Sequence, residues 1–205
     1  MDPVLELRDV NGALLSSNDN WTTATNKQDI IDAGRAPGSS HESAILTTLA
    51  PGHYTSIVRG VANTTGVGLV EVYDQDSGPG SLLSNLSTRN NVGTGNDVMI
   101  GGVIITGQKT VLVRALGPTL TQFGVANALH DPALELRNAQ GTLVDSNDNW
   151  QSSPQKAQIQ ASGFAPPDPG EPAVFATLPM GNYTAIVHGS GSAPSGIALV
   201  EIYPQ

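Results

Sequence analysis

A chain of 205 residues with 18 Asp and Glu against nine Lys and Arg carries a net charge of −9, and its cations form no stripe, which argues against nucleic acid as a partner. Charged residues are 13% of the whole, about half the usual share, beside 23 glycines and 14 prolines, so the composition is lean and rich in turns. Cysteine is absent, which excludes a disulfide framework, a thiolate zinc site and a cysteine nucleophile.

Met1-Asp2-Pro3 has neither a basic n-region nor an apolar h-region, so any export signal is expected to have been removed or to lie elsewhere. Leu5 and Leu7 then alternate with Glu6 and Arg8, the pattern of a half-buried strand, and Asn11-Gly12 predicts a tight turn into Leu14-Leu15. Beyond the loop Asn18-Asp19-Asn20-Trp21 a short helix is predicted to end at Gly34. Further strands are predicted over 44–46 and 54–58, flanking Pro51-Gly52, and over 68–73. We call this five-strand set B. The following segment, 74–130, called A, predicts three strands over 83–89, 97–106 and 110–116, the last ending at Gly117-Pro118. Its longest apolar runs, 98–105 and 111–116, are too short and Gly-interrupted to cross a bilayer as a helix.

B then returns. Asp2-Pro3-Val4-Leu5-Glu6-Leu7-Arg8 recurs as Asp131-Pro132-Ala133-Leu134-Glu135-Leu136-Arg137, an offset of 129. The same offset carries Ser17-Asn18-Asp19-Asn20-Trp21 onto Ser146-Asn147-Asp148-Asn149-Trp150, Gly34 onto Gly163, Glu42 onto Glu171 and Tyr54-Thr55 onto Tyr183-Thr184. One inserted residue after Gly189 makes the offset 130, so that Leu69-Val70-Glu71-Val72-Tyr73 matches Leu199-Val200-Glu201-Ile202-Tyr203. In the second copy, Ser153-Pro154 predicts a helix start with Pro at the first position and Gly163 past the end.

The order is B, A, B. If the natural unit is A followed by B, residues 82–205 hold a complete repeat, 76–81 a linker, and 1–75 only the second half of another. Three strands and five make eight, the number of a two-sheet antiparallel sandwich, whereas five leave a sheet uncovered. The expected fold is all-β: tandem antiparallel β-sandwich modules, jelly-roll-like, the first one incomplete.

The four histidines, His41, His53, His130 and His188, fall opposite unlike residues in the two copies, so a chemistry shared by both cannot use them. Two loops, Asn18-Asp19-Asn20 and Asn147-Asp148-Asn149, place consecutive oxygen-bearing side chains where a Ca²⁺ ion could be held, although not at EF-hand spacing. The favoured expectation is structural: Asp19 and Asp148 make Asx-turns, while Trp21 and Trp150 plug the sandwich ends. Glu71, Glu201 and Arg114 interrupt apolar strands, and alternation sets solvated charge as their default, with a cross-strand Glu201–Arg114 pair as the alternative. Gly93-Thr94-Gly95 and Gly101-Gly102 lack the context of a phosphate cradle and are expected to be turns or bulges. Sequons at Asn20, Asn63, Asn85 and Asn182 permit N-glycosylation.

The stretches Asn85-Leu86-Ser87-Thr88-Arg89, Val92-Gly93-Thr94-Gly95, Val111-Leu112-Val113-Arg114-Ala115-Leu116-Gly117-Pro118, Asp131-Pro132, Asn147-Asp148-Asn149-Trp150 and the Gly-x-Tyr-Thr strand resemble an uncharacterised β-sandwich repeat found in tandem in very large secreted or surface proteins of environmental bacteria. Leu49-Ala50-Pro51-Gly52-His53-Tyr54-Thr55 is loosely similar to bacterial pre-peptidase C-terminal domains, accessory sandwiches of exported enzymes. These resemblances imply an exported, non-catalytic, modular protein at the cell surface or outside it, and no catalytic residues to carry over.

The half without an A before it directs the functional expectation, beside the plainer alternative that the chain is a segment of a longer tandem protein whose preceding A half lies outside it. An unpartnered B exposes sheet edges, and such edges are templates for strands of another molecule. The expectation is therefore a structural protomer that meets further copies of itself head-to-tail, in a fibre or surface array, by β completion. The residues expected at that interface are Leu5, Leu7, Ile45, Ile57 and Val70 of the first copy, with Val98, Ile100, Ile104 and Val111 of A. The rival expectation is a carbohydrate-binding or adhesive accessory module whose tryptophans meet glycans, Ca²⁺ standing at the Asn-Asp-Asn loops. An autonomous hydrolase needs a polar constellation that the sequence does not display.

Overall fold

Local turn chemistry builds the same hairpin twice in the computed structural model, which describes residues 2–76, 83–192 and 194–205. In the first, β1 (Pro3–Arg8) pairs antiparallel with β2 (Leu14–Asn18) across Gly12, whose φ of +79° suits glycine. Asp9 Oδ1 accepts the N–H groups of Asn11 and Ala13, and Arg8 Nη1 donates to the Gly12 carbonyl. The strands that open the second B, β7 (Pro132–Asn138) and β8 (Leu143–Asn147), repeat this with Asn138, Arg137 and Gly141. Among the described residues the strands number eleven, in three antiparallel sheets, and the chain divides into unit 1, Met1–Ser81, and unit 2, Leu82–Gln205. Of the linker expected over 76–81, residues 77–81 lie outside the described residues.

Unit 2 is the complete sandwich. A supplies β4 (Leu86–Val92), β5 (Met99–Ile105) and β6 (Lys109–Leu116); B adds β7, β8, β9 (Ala173–Leu178), β10 (Gly181–Gly189) and β11 (Gly196–Pro204). One sheet runs β4-β11-β6-β9 and the other β5-β10-β7-β8. Counted within the unit these orders are 1-8-3-6 and 2-7-4-5, a jelly roll. Leu134, Leu136 and Val187 of one sheet close on Val111, Val113 and Val200 of the other. Gly101-Gly102, expected as a turn or bulge, lies inside β5, paired with Ala185 and Thr184 of β10, and glycine suits position 101 because a Cβ there would press against Val200 of the facing sheet at 3.0 Å.

Unit 1 keeps one sheet of three strands, ordered β2-β1-β3, with β3 spanning Thr55–Gly60. A short helix, α1 (Lys27–Asp32), buries Ile30, as α2 (Lys156–Ala161) buries Ile159 in unit 2. The helix of the second copy starts after Pro154 rather than on it. The expected strands over 44–46 and 68–73 are not formed. Topology supplies the reason. The counterparts of 44–49 and 66–73 in unit 2 are β9 and β11, which do not touch each other but flank β6. Without an A strand between them these two segments have no ladder to join, whereas the counterparts of β7, β8 and β10 still have one another.

Candidate functional site

How a B half grips its A segment is visible in unit 2. β6 is buried on both faces: Val111, Val113 and Ala115 enter the sandwich core, and Leu112 enters a second cluster with Trp150, Ile159 and Ala173. Each such valine or leucine contributes about 1.5–3 kcal/mol by leaving water. Two carboxylates fix its register and its end. Glu201 of β11 stands opposite Arg114 and accepts its Nε at 2.7 Å, while Arg114 also donates to the Phe164 carbonyl at 2.8 Å and the Tyr203 hydroxyl at 3.1 Å. The Phe164 ring stacks on Tyr203 with centroids 4.1 Å apart, and Tyr203 packs against the cluster. Solvated charge was the default for Arg114 and Glu201; they pair because their strands are neighbours in register and both side chains are largely buried. Burial first, and then the hydrogen bond to Glu201, push the Tyr203 hydroxyl above the ordinary tyrosine range.

The second carboxylate is Glu171, fully buried at 0% exposure. Its oxygens accept Gly117 N–H at 2.9 Å, Thr119 N–H at 2.8 Å, the Thr119 hydroxyl at 2.7 Å and, at 3.4 Å, Asp168 N–H, the counterpart of Ser39. Glu171 thus bolts the turn at the end of β6 to the second B. Sequence reasoning did not assign it this role, and its sole signal was recurrence as Glu42.

Unit 1 has counterparts of these B residues without the strand between them. Leu49, Val70 and Val72 are 41%, 45% and 48% exposed, whereas their counterparts Leu178, Val200 and Ile202 are 1%, 1% and 3% exposed. Glu42 is exposed and accepts Ser39 N–H. Glu71 accepts the Tyr73 hydroxyl at 2.9 Å, and that bond raises the Tyr73 pKa. Arg35 takes the position of Phe164 and lies 3.9 Å over the Tyr73 ring. Residues 44–46 are held near their strand position by side chains: Asn18 Oδ1 accepts Ala44 N–H, and Asn26 Nδ2 donates to the Leu46 carbonyl. Among the described residues unit 1 has no counterpart of Arg114 or of the 117–119 turn.

The other expected residues are distributed as follows. Leu5 and Leu7 sit on β1, the middle strand of its sheet rather than an edge, with Leu7 buried. Ile57 lies on the outer strand β3, on the face of Glu6. Ile45 is half-buried and Val70 exposed. Val98 is half-buried ahead of β5, Ile100 and Ile104 are exposed on that edge strand, and Val111 is fully buried in the centre of unit 2.

In the Asn-Asp-Asn loops the first asparagine does the structural work that was assigned to the aspartate. Asn18 and Asn147 each accept a backbone N–H, of Ala44 and Ala173, and each donates to the carbonyl two residues on, Asn20 and Asn149. Asp148 accepts Asn149 Nδ2, and Asp19 is exposed. Trp150 is buried, and its Nε1 donates to the Asp168 carbonyl; Trp21 is half-buried and donates likewise to Ser39. Among the described residues no group of three or more His, Cys, Asp or Glu is placed to hold a metal ion, and no helix is long and apolar enough to cross a membrane. Asn63, Asn85 and Asn182 are exposed and Asn20 half-buried.

The fold and the site define an all-β protein with one closed jelly-roll sandwich and one open B half. No protein-family model matches the chain, and no curated protein matches it.

Proposed function

We propose that this is a non-catalytic, extracellular structural protein, the protomer of a fibre or surface array in which unit 1 of one molecule is completed by β strands of the next. One observation carries the reading: the segments that flank β6 in unit 2 lie without ladder partners in unit 1, their apolar residues exposed. Completion by a neighbour joins two different surfaces, a heterologous contact that propagates as a filament unless its rotation closes. The extracellular setting follows the resemblance of the repeat to those of exported bacterial proteins. Negative-stain imaging of the purified chain at rising concentration tests the reading. Fibres of one width are expected, and discrete particles at every concentration would contradict it.

A further inference from the structure

Unit 2 contains a worked copy of the contact that unit 1 lacks. Its central strand is recognised by three features: apolar side chains on both faces at 111–113, a guanidinium at 114 received by Glu201 and Tyr203, and a Gly-x-Thr turn at 117–119 whose two N–H groups and hydroxyl are received by Glu171. Gly117 admits no other residue there, since a Cβ would collide with the Leu129 carbonyl. Most B-side receivers recur in unit 1: Glu71 and Tyr73 for the guanidinium, Glu42 for the turn, and Leu49, Val70 and Val72 for the apolar face, while Arg35 replaces Phe164.

We infer that unit 1 is a sequence-reading receptor whose occupant is the 109–119 segment of a second copy of this chain, with Arg114 received by Glu71 and the 117–119 turn by Glu42. The inference rests on the reading that unit 1 is completed by a neighbour, and adds which strand does so and what selects it. The chain itself supplies the argument for this occupant, because its own β6 satisfies the duplicated receptor in unit 2. Arg35 lies over the Tyr73 ring where Phe164 stacks on Tyr203, so unit 1 has a cation in place of the aromatic lid. Residues 2–205 hold one such donor for two acceptors, so a donor that closes a neighbour's unit 1 leaves its own unit 2 open. Assembly of identical molecules is then an exchange that leaves the number of closed halves unchanged, so it requires unit 1 to hold the strand more tightly than unit 2 does, and free donor competes with it.

The test uses the full chain and a labelled synthetic peptide of residues 109–119. The peptide is expected to bind saturably, one per chain, and Arg114→Gln in the peptide to weaken binding about tenfold, as loss of a charge-assisted bond does. Glu71→Gln in the chain should weaken the unaltered peptide to a similar degree and add little to the Arg114→Gln loss, the mark of a direct pair. Glu42→Gln with Thr119→Val gives the same cycle at the turn. The peptide variants leave the fold of the chain untouched. Absence of binding overturns the inference, and so does binding that ignores Arg114 and Thr119. Binding without fibres removes the array and leaves the receptor. Fibres that excess peptide does not shorten remove the receptor and leave the array.

Discussion

Glu171 and Glu42 occupy equivalent positions in the repeat and opposite surroundings in the molecule. The first has no contact with solvent and accepts two backbone N–H groups and a hydroxyl; the second is exposed. Glu171→Ala leaves three buried donors without an acceptor and is expected to lower the unfolding free energy of unit 2 by about 3–5 kcal/mol. Glu42→Ala is expected to change stability by less than about 0.5 kcal/mol. Denaturant unfolding of the two variants checks the contrast, and equal effects would contradict the assignment. A second residue-scale prediction concerns pH. The Tyr203 pKa is raised in the folded state, chiefly by burial and then by its bond to Glu201, so the protonated phenol contributes stability that is complete below the ordinary tyrosine pKa of about 10 and is lost as pH rises through the folded value. Tyr203→Phe should therefore flatten the alkaline limb of the stability profile. Glu6 shifts the other way: the hydrogen bond from Arg8 lowers its pKa, so its share of stability is present above the ordinary glutamate range and lost as pH falls through the folded value.

Strands differ from hairpins in what makes them. The β1–β2 and β7–β8 hairpins were legible in the sequence because everything they need is local: a glycine with positive φ, an Asp or Asn accepting two N–H groups, and an arginine reaching the turn carbonyl. Residues 44–46 and 68–73 carry the same apolar pattern as β9 and the end of β11, yet only the second copy forms strands, because strand formation depends on a neighbour that the pattern does not encode. For the same reason the Arg114–Glu201 bond could be named only as an alternative, and the role of Glu171, which receives Gly117 and Thr119 from more than fifty residues away, left no motif to read. Core truncation measures the difference between the two copies. Ile202→Ala is expected to cost unit 2 about 2–5 kcal/mol, whereas Val72→Ala should cost unit 1 less than about 0.5 kcal/mol in the unassembled molecule. Similar losses at both positions would mean that Val72 is packed after all.

At the scale of the molecule, residues 2–205 set one three-strand A segment beside two B halves. The sequence showed this count, through the repeat, before any strand had been placed; it did not show which acceptor would be closed. In the structure A pairs with the B that follows it, and unit 1 keeps a three-stranded sheet of its own; on the proposed reading that half is closed by strands of another molecule. Amide hydrogen exchange of the full chain, below and above its assembly concentration, tests that claim most directly. Amides of β9 and β11 in unit 2 are expected to be protected in the isolated molecule, while those at 44–49 and 66–73 exchange freely and become protected only on assembly. Full protection of 44–49 and 66–73 in isolated molecules would contradict the account.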